Sequence, residues 1–103
     1  MSDSIPSSAC CRRQVVYSGR VQGVGFRATA SDIARGFQVT GWVRNEPDGT
    51  VHLEAQGTPD EVESFLREVR RRQDRLLAEV RTGDVPVVDE EAGFRITRSA
   101  SGF

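Results

Sequence analysis

Lysine is absent from this 103-residue chain, so all 14 basic residues are arginine. A Schiff-base lysine, a lysine nucleophile and the lysine of a Walker-type phosphate loop are thereby excluded. There is one histidine, His52. With only scattered carboxylates around it in the sequence, it offers no recognisable ligand spacing, and no metal site is predicted. The only two cysteines, Cys10 and Cys11, are adjacent. They form neither a disulfide framework, a CxxC redox pair nor a zinc knuckle, and no arginine follows six positions on to make a Cys-x5-Arg phosphatase loop. A reducing, cytoplasmic setting is the expectation. No apolar run is long enough to span a bilayer, and the N-terminus is polar rather than signal-like, so no membrane partner is expected. The net charge of −1 sets up no field that would gather nucleic acid.

What remains is one small domain, with 37% hydrophobic residues to build a single core. Residues 1–13 are Ser-rich and aperiodic and read as a flexible tail; residues 99–103 read as a second tail, leaving 14–98 as the domain. Residues 14–20 are β-branched and aromatic, a strand. Ala30, Ile33, Ala34 and Phe37 then recur at helical spacing over 27–37. Gly36 is one stop for that helix, and Gln38 in the C′ place is another. A second strand over 39–45 runs into Glu46-Pro47-Asp48-Gly49, a hairpin turn, and a third covers 50–56, where Val51, Leu53 and Ala55 alternate with His52, Glu54 and Gln56. Thr58-Pro59-Asp60-Glu61 is a helix start with a capping box. Val62, Phe65, Leu66 and Val69 follow as its core stripe. Residues 77–82 and 94–98 are the last strand candidates, and Pro86 opposes a long central strand between them. The order β-α-β-β-α-β, with a short fifth strand possible, predicts an α+β ferredoxin-like split βαβ sandwich: a mostly antiparallel sheet with two helices on one face.

The chemistry concentrates in two runs, 20-RVQGVGFR-27 and 41-GWVRNEPDG-49. The first joins a strand to a helix. Gly23 and Gly25 allow a tight turn that aims several N–H groups at one spot, and Arg27 adds a planar, permanently charged fork at the helix start. That combination suits a phosphate-like dianion. The second run ends in Asn45, which can hold a water by hydrogen bonds but cannot serve as a strong base. Anion cradle plus water holder is the minimum for hydrolysing a phosphoryl compound.

Each motif has a plainer alternative. Gly23-x-Gly25-x-x-Ala28 also matches a relaxed dinucleotide fingerprint, but a dinucleotide fold needs further βα units where this chain makes a hairpin. The glycine loop alone would be an ordinary strand–helix turn, and Asn45 alone an ordinary turn residue. His52 shares its strand face with Glu54 and Gln56, a solvated face. The arginines of 70–75 read as a helix end meeting the negative pole of its dipole, interrupted by acidic residues, rather than a nucleic-acid patch. Trp42 reads as core or loop support.

At 19-GRVQGVGFR-27, and at 41-GWVRN-45 with Asp48-Gly49, the sequence resembles the acylphosphatase family, in matching order from about Gln14 to about Arg98. The resemblance implies a ferredoxin-like fold and hydrolysis of acyl phosphates to a carboxylate and phosphate, without metal or cofactor. It implies that Arg27 binds phosphate and that the amides of Val21, Gln22, Gly23, Val24, Gly25, Phe26 and Arg27 form the cradle. It also implies that Asn45 positions the attacking water. The expected partner is a small-molecule acyl phosphate; inorganic phosphate or sulfate is expected to fit the same place, and a free-standing monomer is expected. Two positions depart from the family pattern. Ala28 stands where a bulkier residue is common, which would widen the pocket mouth. Gln38 stands where a glycine is common, and a left-handed Gln would cost about 1 kcal/mol. Related domains fused to hydrogenase-maturation proteins keep a second reading open, a non-catalytic phosphate-binding or docking module.

Overall fold

The computed structural model describes residues 9–98. Residues 1–8 and 99–103, which belong to the two predicted tails, lie outside the described residues. Strands β1 (Cys11–Gly19), β2 (Thr40–Asn45), β3 (Val51–Gly57), β4 (Leu77–Val85) and β5 (Phe94–Ile96) make one sheet in the order β4-β1-β3-β2-β5. Every pairing is antiparallel except β2 with β5. Helices α1 (Phe26–Ala34) and α2 (Pro59–Gln73) supply the βαβ crossovers. The result is the ferredoxin-like α+β sandwich that the element order predicts, with the short fifth strand present.

One parity rule organises the sheet. Val15 and Tyr17 of β1, Gly41 and Val43 of β2, and Val51, Leu53 and Ala55 of β3 are buried beneath the helices. Val62, Phe65 and Val69 of α2, with Phe26, Ala30 and Ile33 of α1, close the core from above. Phe65 is its centre, with ring centroids 6.0 Å from Phe37 and 5.3 Å from Phe94. Gly41 fixes how closely β2 approaches β3. Its φ is 151°, and a Cβ there would sit 1.9 Å from the Glu54 carbonyl oxygen.

Three details differ from the sequence expectations. First, the predicted tail is too long, because Cys11–Arg13 belong to β1 and pair with Ala55–Gly57. The polar run hides a buried arginine. Arg12 is 3% exposed, on the face of the sheet that no helix covers. The connection from β4 to β5 lies against that face. Glu91 meets the Arg12 guanidinium with both oxygens, at 2.8 and 3.1 Å, and Glu54 takes its Nε at 2.6 Å. The Gln56 amide grips the Val88 backbone through both its N–H and its C=O, each at 2.9 Å. Burial works against the charge on Glu91, but hydrogen bonds from Arg12 and Thr40 hold its carboxyl below the usual range.

Second, α1 ends at Ala34 without a left-handed residue at either Gly36 or Gln38. The chain leaves through tight i→i−3 bonds from Arg35, Gly36 and Phe37. The Gln38 N–H then donates to the Glu61 carboxylate at 2.7 Å. This resolves the strain expected at Gln38, because no left-handed turn is made there. It also redirects the predicted capping box. Thr58 caps α2 by accepting from the Glu61 N–H, while the Glu61 side chain is engaged by Gln38. Third, Trp42 is not part of the core. It is half-buried on the uncovered face, with the Arg44 guanidinium 4.4 Å from its ring centroid. Cys10 and Cys11 are free thiols.

Candidate active site

Sheet topology brings the two motifs to one edge. β1 and β2 both run antiparallel to β3, which lies between them, so their C-terminal ends point the same way. The register is specific. Tyr17 and Asn45 both pair with Val51, so they stand in one row about 10 Å apart across two strand spacings. Asn45 shares the parity of Gly41 and Val43, which places it on the helix side of the sheet.

The loop leaving β1 is pinned along its length. The Arg20 N–H donates to the Leu76 carbonyl at 2.8 Å. Val21 is buried as a plug. The Gln22 amide nitrogen donates to the carbonyls of Glu46 (2.8 Å) and Thr50 (2.9 Å), bridging the mouth of the β2–β3 turn. Phe26 packs on Tyr17 with centroids 4.9 Å apart, and from behind the buried Gln73 amide donates to the Phe26 carbonyl at 3.4 Å. Asp48 braces the turn by accepting from both the N–H and the hydroxyl of Thr50. Those bonds, the hydroxyl's first, hold its carboxyl below the ordinary range.

Gly25 is the residue before α1, with φ 79° and no side-chain cap; Gly23 has φ 75°. A Cβ would meet nothing within 4 Å at either glycine. Left-handed backbone, not lack of space, is therefore what selects glycine here. The first intrahelical bond runs from the Thr29 N–H to the Gly25 carbonyl. The N–H groups of Phe26, Arg27 and Ala28 are left without intrahelical acceptors, at the positive pole of the helix.

Val21, Gly23, Gly25, Phe26, Arg27, Ala28 and Ile96 line one cleft of about 180 Å³, ample for several waters or a small anion. Among the described residues no carboxylate lies within ion-pair reach of Arg27. Of the predicted cradle, Gln22 and Val24 do not line the cleft. The Gln22 side chain is spent on the hairpin, and Val24 is an exposed apolar residue at the loop tip. Asn45 is not a lining residue either. It lies just before the turn that Gln22 grips, and its Oδ1 is buried with no hydrogen-bond partner. A buried carbonyl oxygen without a donor is uncommon and calls for one.

Sequence reasoning missed two contributors, Ile96 and Gln73, and the strut role of the Gln22 side chain, a residue it named for its backbone amide. Ile96 on β5 forms a wall of the cleft because β5 pairs parallel with β2, setting Ile96 beside Val43. Gln73 and Gln22 act as struts. No short-range pattern announces a strut, since its partners lie 24 to 47 residues away. His52 stands on the uncovered face as expected, with its Nδ1 3.7 Å from a Glu46 carboxylate oxygen, away from the cleft.

The comparisons with known proteins bear on the family and the fold. A family model described as Acylphosphatase matches residues 13–96. The chain is 48% identical over 84 residues to an acylphosphatase of Salinibacter ruber, an alignment covering 79% of this chain and 86% of that protein. It is 41% identical over 89 residues to one from Bifidobacterium longum, covering 84% and 90%. A 52% match to the Methanospirillum hungatei acylphosphatase spans 64% of that protein. Among solved structures, the acylphosphatase from Bacillus subtilis superimposes with a TM-score of 0.75 at 26% identity, covering 84% of this chain and 98% of that one. Full-length HypF, in a phosphate- and nucleotide-bound form, matches with a TM-score of 0.78 at 28% identity; 99% of this chain aligns to 14% of it. With a family match spanning nearly the whole described domain, and relatives aligned over most of their own length, the chain belongs to the acylphosphatase family, the hydrolases of acyl phosphates.

Proposed function

We propose that Arg27 and the N–H groups of the Val21–Arg27 loop hold the phosphoryl group of an acyl phosphate, and that Asn45 positions the attacking water. The observation that carries this reading is the cleft itself. Arg27 faces it beside open helix N–H groups, with no carboxylate in the described residues to neutralise it. An acyl phosphate is a mixed anhydride whose leaving group is a carboxylate, with a conjugate-acid pKa near ~4, so it departs without a general acid. The transferring group passes through a loose transition state with charge on its equatorial oxygens. Fixed positive potential and alignment of the water are what lower that barrier. Arg27, the amides and the helix pole supply the potential; the unpartnered Asn45 Oδ1 accepts a hydrogen bond from the water. The proton released can pass to a phosphate oxygen of the substrate.

The mechanism so proposed draws on neither metal nor cofactor, because the carboxylate leaves unaided and Arg27 with the amides supplies the positive potential. The acyl group rests toward Ile96 and the small Ala28, an apolar and roomy wall. We place the protein in the cytoplasm, in keeping with two free cysteines, and assign it a monomeric state. The test is release of phosphate from acetyl or benzoyl phosphate by the purified chain, with and without EDTA. Turnover unaffected by EDTA is expected; loss on chelation overturns the metal-free mechanism. A second reading, a non-catalytic phosphate-binding or docking module, is favoured by the alignment of this whole domain to a small part of HypF. Phosphate binding without turnover would select it.

A further inference from the structure

A second cavity, of about 360 Å³, lies on the helix face and shares no lining residue with the cleft. α2 packs over β1 and β3, and the edge strand β4 is left with no helix above it. The side of α2 and the bare face of β4 therefore form two walls of a trough. Its floor is apolar: Val15, Tyr17, Leu66 and Val80. On its rim stand Arg67 and Arg70, one helical turn apart. Arg13 also reaches the rim but is occupied by Glu63 and Asp84, at 3.2 and 3.6 Å. Among the described residues neither Arg67 nor Arg70 has a carboxylate partner. At the bottom Tyr17 is 1% exposed. Burial pushes the Tyr17 phenol up, and the charge of Arg70 works the other way.

We propose that this trough is a second, non-catalytic binding site for a small organic anion, a monocarboxylate with a compact apolar body. Its head pairs with Arg67 and Arg70, and its body lies on Val15, Tyr17, Leu66 and Val80. The volume falls within the ordinary range for small-molecule pockets, and an apolar floor with a few convergent polar groups is their usual make-up. Two guanidinium forks match a planar carboxylate. Inorganic phosphate has no use for the floor, and a neutral ligand has none for the rim.

The experiment is a titration of the full chain with benzoate, read as amide shifts by NMR, with benzamide and inorganic phosphate as parallel arms. Saturable shifts at Leu66, Val80 and Thr82 are expected with benzoate and not with the other two. The double variant R67Q/R70Q is expected to weaken benzoate about tenfold while leaving acyl phosphate turnover unchanged, since both side chains are exposed and neither lines the cleft. V80D, an exchange at the trough wall, is expected to abolish the same shifts. Benzoate shifts confined to Gly23–Arg27, equal shifts from benzamide, or an affinity indifferent to R67Q/R70Q would each overturn the site. The same shifts produced by raising protein concentration alone would make this a face between copies, and would overturn it too.

Discussion

The Gln22 side chain donates to the carbonyl of Glu46 at 2.8 Å, and Glu46 directly follows Asn45. One amide thus joins the loop that carries the cradle to the strand end that carries the water-holding candidate. The same nitrogen reaches Thr50 at 2.9 Å, so the β2–β3 turn cannot open without releasing the loop. Gln22→Ala removes two hydrogen bonds at a part-buried site and should cost about 1–3 kcal/mol of stability. Because the cradle and Asn45 then lose their common anchor, kcat should fall and KM should rise together, which steady-state kinetics on acetyl phosphate will read. An unchanged KM would show that the loop holds its shape without this strut.

Arg27→Ala should lower kcat/KM about a hundred- to a thousandfold, in line with removing a main electrostatic donor from a transition state. Arg27→Lys should recover little, because a point charge lacks the fork. Phosphate affinity, measured by competitive inhibition, should weaken in both variants.

Asn45→Ala should separate activity from stability. Its Oδ1 is buried with no partner, a cost the folded protein already bears. Removing it should leave Tm unchanged or raise it, while kcat collapses and phosphate affinity is kept. Thermal melts beside kinetics check this, and equal losses in kcat and phosphate binding would contradict the role assigned to Asn45.

Gly41→Ala should be among the most damaging small substitutions in the chain. The added Cβ would collide with the Glu54 backbone at 1.9 Å, and neither β2 nor β3 can yield without parting. A loss of more than about 3 kcal/mol is expected from overpacking and strain together. The denaturation midpoint of the variant measures it.

Acid should loosen the strap between β4 and β5. The folded-state carboxyl of Glu91 lies below its unfolded range, so its bond to Arg12 adds stability that is complete above about pH 4.5. That contribution is lost as pH falls through the depressed folded value. Arg12→Ala leaves Glu54 and Glu91 without their shared cation and should cost roughly 2–4 kcal/mol at pH 7, less than for a fully sealed pair because both carboxylates keep some solvent. Denaturant melts from pH 7 to 3 should show a steeper acid decline in the native chain than in Glu91→Gln.

The sequence by itself determined the element order, the core stripe of α2 and the two motifs, because these rest on local rules: alternation, capping, turn chemistry and the φ demanded at Gly23 and Gly25. It even held Gln22, though as a cradle amide rather than a strut. Only the tertiary structure decided that Arg12 is buried, that Ile96 walls the cleft, that Gln38 turns to Glu61 instead of into a left-handed cap, and that β4 is left bare beside α2. Each of these depends on partners 23 to 79 residues away or on which strand lies next to which. A polar residue looks the same in a sequence whether it faces water or a matched charge. Strand neighbours are set by a global packing of layers that no local window contains.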